Sequence, residues 1–273
     1  MNSKNKSSDI QIYILTHKEI KEKYDNTLYY PLLNGSALLK EDFGYIRDDT
    51  GLNVSNLNIY LAELTGQYWA WKNSTCDIIG FCHYRRWFAK NIFFKKLEKT
   101  DIIKDLEKHD IILPQKTRLK NNLFQTIKKE LDESPDYGAK IEDYEKLGDH
   151  IKINYPDYYD AYNKTMEGHG IYNNNMFICS KELANNYFTW LFSIFNSFKN
   201  ELDLSKYPDN NKRVYGFFSE FLLTVYVEKN NLKVKEHYVY LSERKMPILH
   251  IIHRRYPSMN IFERTIGKIL EKL

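Results

Sequence analysis

The sequence predicts an α/β fold, and three observations carry the prediction. Short apolar runs bounded by polar turns alternate with longer segments whose apolar residues recur every three or four positions, the pattern of strands alternating with helices. One run, Asp77-Ile-Ile-Gly-Phe-Cys82, is apolar after its first residue, as a strand buried on both faces in a parallel sheet would be. It ends abruptly on His83-Tyr84-Arg85-Arg86, and in open α/β sheets ligands bind beyond the carboxyl ends of the strands. His83, Arg85 and Arg86 are therefore candidate ligand-binding residues, adjacent guanidinium groups being suited to phosphate.

Taken in order, Gln11 to Leu15 reads as a first strand closing on Thr16-His17-Lys18. Tyr29 to Leu39 carries Pro31 and Gly35 and reads as an irregular segment. Asp48 to Asn53 is rich in side chains that bond their own backbone and reads as a turn. Asn58 is placed to cap one aromatic-rich helix running to Asn73, with Leu61, Leu64, Tyr68 and Trp71 on its inward face. After the Asp77 to Cys82 strand come a basic helix around Lys95 to Lys108 and a strand from Asp110 to Pro114. Lys116 to Tyr155 is polar, with weak periodicity, and reads as an insertion or lid. A helix (Pro156 to Met166), a strand (Asn175 to Cys179), two helices (Lys181 to Lys199 and Gly216 to Val227) and a late strand (Lys233 to Tyr240) complete the pattern.

The expected organisation is a disordered polar N-terminus over 1–9, one domain over 10–243, and a tail over 244–273. In that tail Phe262, Ile266, Ile269, Leu270 and Leu273 share one helical face, with Arg264, Lys268 and Lys272 elsewhere and His253-Arg254-Arg255 upstream. Such a basic amphipathic helix lies on an anionic membrane surface or packs back on its own domain. A formal net charge of only +4, without a long basic run, argues against nucleic acid as a partner. Cys76, Cys82 and Cys179 are odd in number and widely spaced, so reduced thiols are expected rather than disulfides or zinc ligands. The absence of an apolar leader or a membrane-length apolar window gives a cytoplasmic expectation.

Several motifs occur in a fixed order: Thr16-His17-Lys18, Asp49-Thr50-Gly51-x-Asn53, Glu63-Leu64-Thr65 with Tyr68-Trp69-Ala70-Trp71-Lys72-Asn73, His83-Tyr84-Arg85-Arg86, Asn175-Met176-Phe177-Ile178, and Arg213 to Glu220. Together they resemble the bacterial capsular and exopolysaccharide glycosyltransferase family long classed as a domain of unknown function. The resemblance covers roughly Ile10 to Glu243. It departs at Asn174, where the family usually has an aromatic residue, and at Phe221, where it usually has arginine.

The resemblance implies a GT-A-like nucleotide-sugar-binding sheet. It also implies transfer of a hexose, such as galactose or galactofuranose, from a UDP-linked donor to a lipid-linked oligosaccharide at the inner face of the cytoplasmic membrane. The other reading is a carbohydrate-binding or scaffold subunit that kept the fold without the chemistry. A nucleotidyltransferase would need an acidic metal pair that is not evident.

Sugar transfer requires neutralisation of a leaving diphosphate, removal of a proton from the acceptor hydroxyl, and in-line positioning. No Asp-x-Asp element follows the central strand. Arg85 or Arg86, with His17 or Lys18, is then expected to replace or supplement a metal, and Mg or Mn held by Asp48, Asp49 or His83 stays open. Glu220 is the first candidate for the base and Asp49 the second. The competing role for Glu220 is that of a first-turn carboxylate meeting the helix dipole. Thr16, Asp49, Thr50 and Asn53 are assigned to the donor, against an ordinary turn for the last three. Glu63, Asn175 and Arg213 are assigned to sugar or acceptor, with an arginine as the other partner for Glu63. Trp69 and Trp71 cannot share one helix face, so one of them, Trp69 by assignment, is offered to a sugar ring, against partial burial at the helix edge.

Overall fold

The computed structural model describes residues 8–91, 95–133, 139–208 and 212–242. In chain order its elements are β1 (Ile10–Thr16), β2 (Tyr29–Leu33), β3 (Ile46–Arg47), α1 (Asn58–Leu61), α2 (Leu64–Asn73), β4 (Ile78–His83), β5 (Arg86–Ala89), α3 (Lys99–Leu106) and β6 (Ile111–Pro114). Then follow β7 (Thr117–Arg118), α4 (Leu123–Glu133), α5 (Ile141–Asn154), α6 (Pro156–Met166), β8 (Gly170–Ile171), β9 (Phe177–Ser180), α7 (Lys181–Phe198), α8 (Val214–Lys229) and β10 (Val234–Leu241).

The α/β expectation is met as a mixed sheet. One half is parallel, with β1 between β2 and β4 and with β3 beside β2. The other half is mostly antiparallel: β9 lies against both β4 and β6, and β10 joins β6 to β5. A tight turn brings β5 back onto β4 with Arg86 opposite His83. Alternation along the strands fills two cores. Tyr13, Leu15, Phe81 and Phe177 pack under the large helical layer, whereas Ile12, Ile14, Cys82 and Ile178 face the smaller cluster with Ile102 of α3. All three cysteines are buried and free, and burial pushes the Cys82 and Cys179 thiols well above their ordinary pKa.

Four local expectations are corrected. The segment around Pro31 is a strand. Leu33 O accepts from Asp48 N at 3.2 Å, so Pro31, two residues earlier, faces the same side, where β3 has not yet begun to pair. Its missing N–H therefore removes no ladder bond. The basic helix is shorter than expected, because Arg86–Ala89 and Lys96 are drawn into strand pairing before Lys99.

Within 116–155, expected to be an insertion or lid, helix α5 is part of the core. Tyr144, Leu147 and Ile151 of α5 are buried in the main core beside Tyr162 of α6 and Phe218 of α8. The aromatic helix is broken in two at Ala62, with φ 50° and ψ −128°. Asn58 begins α1 instead of capping it, and its Nδ2 donates to Ala62 O at 2.7 Å and to Thr65 Oγ1 at 2.9 Å. A non-glycine residue at positive φ is strained by about 1–3 kcal/mol, and these bonds hold the break.

Helix α8 is apolar nearly all round and central to the helical layer. A Cβ at Gly216 would stand 3.2 Å from Ala62 Cβ. Glycine there lets α8 approach the break between α1 and α2. Among the described residues no helix is long and apolar enough to cross a membrane. The tail over 244–273 and residues 1–7 of the N-terminal segment lie outside the described residues.

Candidate active site

The carboxyl ends of β1 and β4 open into a cleft of roughly 490 Å³. Four pieces of chain furnish its charged and histidine side chains, each for a local reason. Leaving β1, the backbone turns at Thr16, whose Oγ1 donates to Lys18 O at 2.5 Å and accepts from Lys18 N at 3.1 Å. That turn presents His17 to the cleft. Leaving β4, Tyr84 N donates to Leu15 O at 3.1 Å, and the turn into β5 sets His83, Tyr84, Arg85 and Arg86 along the wall. Arg213, the residue before α8, and Gly216, Phe217 and Glu220 on it recur at three- and four-residue spacing and form one stripe. Opposite that stripe, the break at Ala62 delivers Glu63.

Tyr84 gathers cations around its ring. Lys18 Nζ lies 4.5 Å and Arg85 Cζ 5.6 Å from the centroid, and His17 meets it edge-on at 5.3 Å. Arg213 Cζ lies 5.3 Å from the Phe217 ring.

Arg86 is held below the usual arginine value by burial first and then by the Arg85 charge, with Glu220 and Glu63 pulling the other way. It stays a cation. His83 is held below the ordinary imidazole value, chiefly by the packed atoms around it. Glu63 opposes that shift, and Arg86 and Arg85 add to it. Its Nε2 lies 2.6 Å from Asn174 O. A carbonyl only accepts, so this nitrogen carries the proton of a neutral ring.

His17, Glu63, His83, Arg85, Arg86, Arg213 and Glu220 thus surround one volume. Glu220 stands six residues after the first residue of α8, and no acidic residue occupies that helix's first turn. The helix-dipole role expected as its competitor is therefore removed. Asn175 is buried beneath the cleft, and its Nδ2 donates to Glu63 Oε1 and to Ser219 Oγ, both at 2.8 Å. At the two departures, Asn174 has φ 70°, in the left-handed region that asparagine tolerates. Phe221 is buried against Tyr144 and Tyr162.

Asp49, Thr50, Asn53 and Trp69 do not line this cleft. Asp49 forms a two-pronged ion pair with Arg47, at 2.8 and 3.2 Å. Trp69 Nε1 donates to Thr50 O and Oγ1, and Asn53 Nδ2 donates to Gly51 O. Trp71 stacks on Phe192 at 5.7 Å, and Lys72 Nζ lies 3.3 Å from the centroid of its ring.

Two of the three candidate metal ligands are engaged elsewhere: the Asp48 carboxylate accepts from Gly35 N, Ser36 N and Ser55 Oγ, and Asp49 pairs with Arg47. His83 donates from Nε2 to Asn174 O, which leaves its Nδ1 lone pair available. Among the described residues no three His, Cys, Asp or Glu side chains gather in a metal-binding group. The sequence did not point to Asn34, Asn58, Ile59, Ala62 or Phe217 as lining residues. Asn34 follows the strand hidden by Pro31, and Ala62 carries no chemical signal of its conformation.

Searching known proteins found no curated sequence similar to this chain. The solved apo structure of WbbM, a bifunctional glycosyltransferase, superposes with a TM-score of 0.75 at 28% sequence identity, covering 87% of this chain and 46% of that one. The chain thus spans less than half the length of the protein it matches. Residues 11–231 match the family described as "Domain of unknown function (DUF4422)", and the chain belongs to that family.

Proposed function

We propose that this protein is a glycosyltransferase that moves a hexose from a nucleotide-sugar donor to a sugar hydroxyl. One observation carries the reading: His17, Arg85, Arg86 and Arg213 share a single cleft with Glu63 and Glu220. Cations and carboxylates are needed together when a diphosphate leaves and a hydroxyl attacks. The likeness to a bifunctional glycosyltransferase, at 28% identity over 87% of this chain, supports the reaction class.

In this reading the donor lies over the carboxyl ends of β1 and β4, in a GT-A-like manner. The bond between the anomeric carbon and the diphosphate oxygen breaks, its electron pair staying on the diphosphate. Arg85 and Arg86, fixed by the β4–β5 turn, face that growing charge. Such preorganised donors each contribute about 2.7–4 kcal/mol in sites of this kind. The acceptor hydroxyl oxygen forms the new bond to the anomeric carbon, and its proton passes to the Glu220 carboxylate. Glu63 holds a sugar hydroxyl. Asp49, Thr50 and Asn53 act by shaping the loop after β3.

The donor proposed is UDP-linked, with galactose or galactofuranose the first sugars to test. The acceptor proposed is a lipid-linked oligosaccharide of a capsule, exopolysaccharide or O-antigen, met at the inner face of the cytoplasmic membrane.

The test is thermal stabilisation by a panel of nucleotide sugars, with and without manganese, followed by turnover with the best donor. A donor at about 100 times its dissociation constant adds roughly 2.7 kcal/mol. A selective shift that disappears in Arg86→Ala, with turnover in the wild type, is the expected result. A shift without turnover on any acceptor replaces the enzyme with a binding subunit. No shift with any donor overturns the nucleotide-sugar reading.

A further inference from the structure

Three of the segments that build the cleft meet helix α2 at one dipeptide, Asn174-Asn175, in the bend before β9. Both residues are left-handed, with φ 70° and 49°, so consecutive peptide groups point in directions a strand or helix does not allow. The Asn174 carbonyl accepts from His83 Nε2 of β4 at 2.6 Å. The Asn175 carbonyl accepts from the buried Gln67 Nε2 of α2 at 2.7 Å. The Asn175 Nδ2 spends both protons, one on Glu63 Oε1 and one on Ser219 Oγ of α8.

The orientation of that amide is determined by its neighbours. Ser219 Oγ donates its own proton to Gly216 O at 2.7 Å, so it has only lone pairs to offer Asn175. The Glu63 carboxylate likewise accepts. Turning the amide over would set oxygen against both. As placed, Asn175 Oδ1 is buried with no partner among the described residues, an unsatisfied acceptor of the kind that persists where a site needs it. Asn175 itself is 1% exposed and does not line the cleft.

We infer that Asn175 is a positioning residue that sets Glu63 and Glu220 against each other: it grips the Glu63 carboxylate directly and holds α8 through Ser219, next to Glu220, without meeting substrate. The inference rests on the glycosyltransferase reading for its kinetic consequence only. Glu63 and Ser219 lie 112 and 44 residues from Asn175 in the chain, and one side chain spans both. A misplacement of about 1 Å in a reacting group lowers turnover by about 100-fold.

The test is Asn175→Asp, which keeps the shape and replaces the donor with an oxygen. Two carboxylates in contact cannot both be charged, so the folded pair retains a proton that the unfolded chain loses at lower pH. Stability relative to wild type should then fall as the pH rises from about 5 to about 8. The double variant N175D/E63Q restores a donor across the contact and should shrink that pH-dependent deficit, leaving the part that burial of the new carboxylate causes. With the best donor, N175D should lose about 100-fold in kcat while the donor KM stays within about threefold.

Four outcomes decide the matter. A normal kcat in folded N175D overturns the inference. A loss carried by donor KM makes Asn175 a substrate contact and overturns it too. Failure of E63Q to shrink the pH-dependent deficit at all breaks the Asn175–Glu63 link. If wild-type protein turns over no nucleotide sugar, the functional reading falls by itself, and the swap alone decides whether Asn175 holds Glu63. Should N175D fail to fold, Ser219→Ala replaces it: a lower kcat at unchanged donor KM supports the inference, and an unchanged kcat overturns it.

Discussion

The cleft and the loop after β3 are built from the same kinds of residue but arranged to opposite effect. Asp48, Asp49, Thr50 and Asn53 bond to the backbone and side chains of their own neighbourhood: Asp48 to Gly35, Ser36 and Ser55, Asp49 to Arg47, and Thr50 to Trp69. In the cleft, His17, Glu63, Arg85, Arg86, Arg213 and Glu220 come from β1, the Ala62 break, the β4–β5 turn and α8 to surround one open volume. A polar group satisfied inside its own loop stabilises that loop. Polar groups from four distant segments that face one space can act on a ligand. The comparison yields opposed expectations for stability and for turnover.

The largest effect is expected from Glu220→Gln. Loss of a general base lowers turnover by about 10²–10⁴-fold, with the melting temperature little changed, whereas Asp49→Asn should leave turnover near wild type. Parallel initial-rate assays check the pair, and a reversed ranking would move the base to the loop. Next come Arg85→Ala and Arg86→Ala. Each should lower turnover by about 10²–10³-fold if both face the leaving diphosphate. If one variant is silent, only the other arginine serves the chemistry.

Asp48→Ala should show the reverse pattern. It leaves two backbone N–H groups and a hydroxyl without their acceptor in a fully buried place. The expected loss is about 3 kcal/mol of folding stability, read by denaturant titration, with turnover per folded molecule retained. The smallest effect concerns His83. Its folded-state pKa lies below the 6.5 of an ordinary imidazole, chiefly through burial. The unfolded chain therefore takes up a proton first, and stability is lost as pH falls from about 6.5 toward the folded value. The stability difference between wild type and His83→Gln should shrink over that window. A difference independent of pH would mean that burial leaves the His83 pKa unshifted, and one that grows as the pH falls would mean that His83 is charged in the folded protein.

Parts of this architecture are legible in the amino-acid sequence alone. The apolar run Ile78 to Cys82 ending on His83 to Arg86 does mark a buried strand with cleft residues at its end, because a short continuous apolar run and an abrupt change of polarity are local signals. The helix Lys181–Phe198 is legible from its periodicity, and Val214–Lys229 from the length of its apolar run, for the same reason. Strand β2 is not, because proline usually forbids strand pairing and only the position of β3 shows that Pro31 faces an unpaired edge. The break at Ala62 is not legible either. Alanine is a strong helix former, and the conformation is held by Asn58 and by the close approach of Gly216.

By itself, then, the sequence determined the alternation of strands and helices, the buried free cysteines, and the residue types that end β1 and β4. Each is set by the order of near neighbours along the chain. Only the tertiary structure decided which polar cluster becomes a cleft, and that Glu63, Asn175 and Ser219 form one connected group. Those contacts join residues 112 and 44 positions apart. They depend on how α8 and the β4–β5 turn pack against the sheet, which no local pattern encodes.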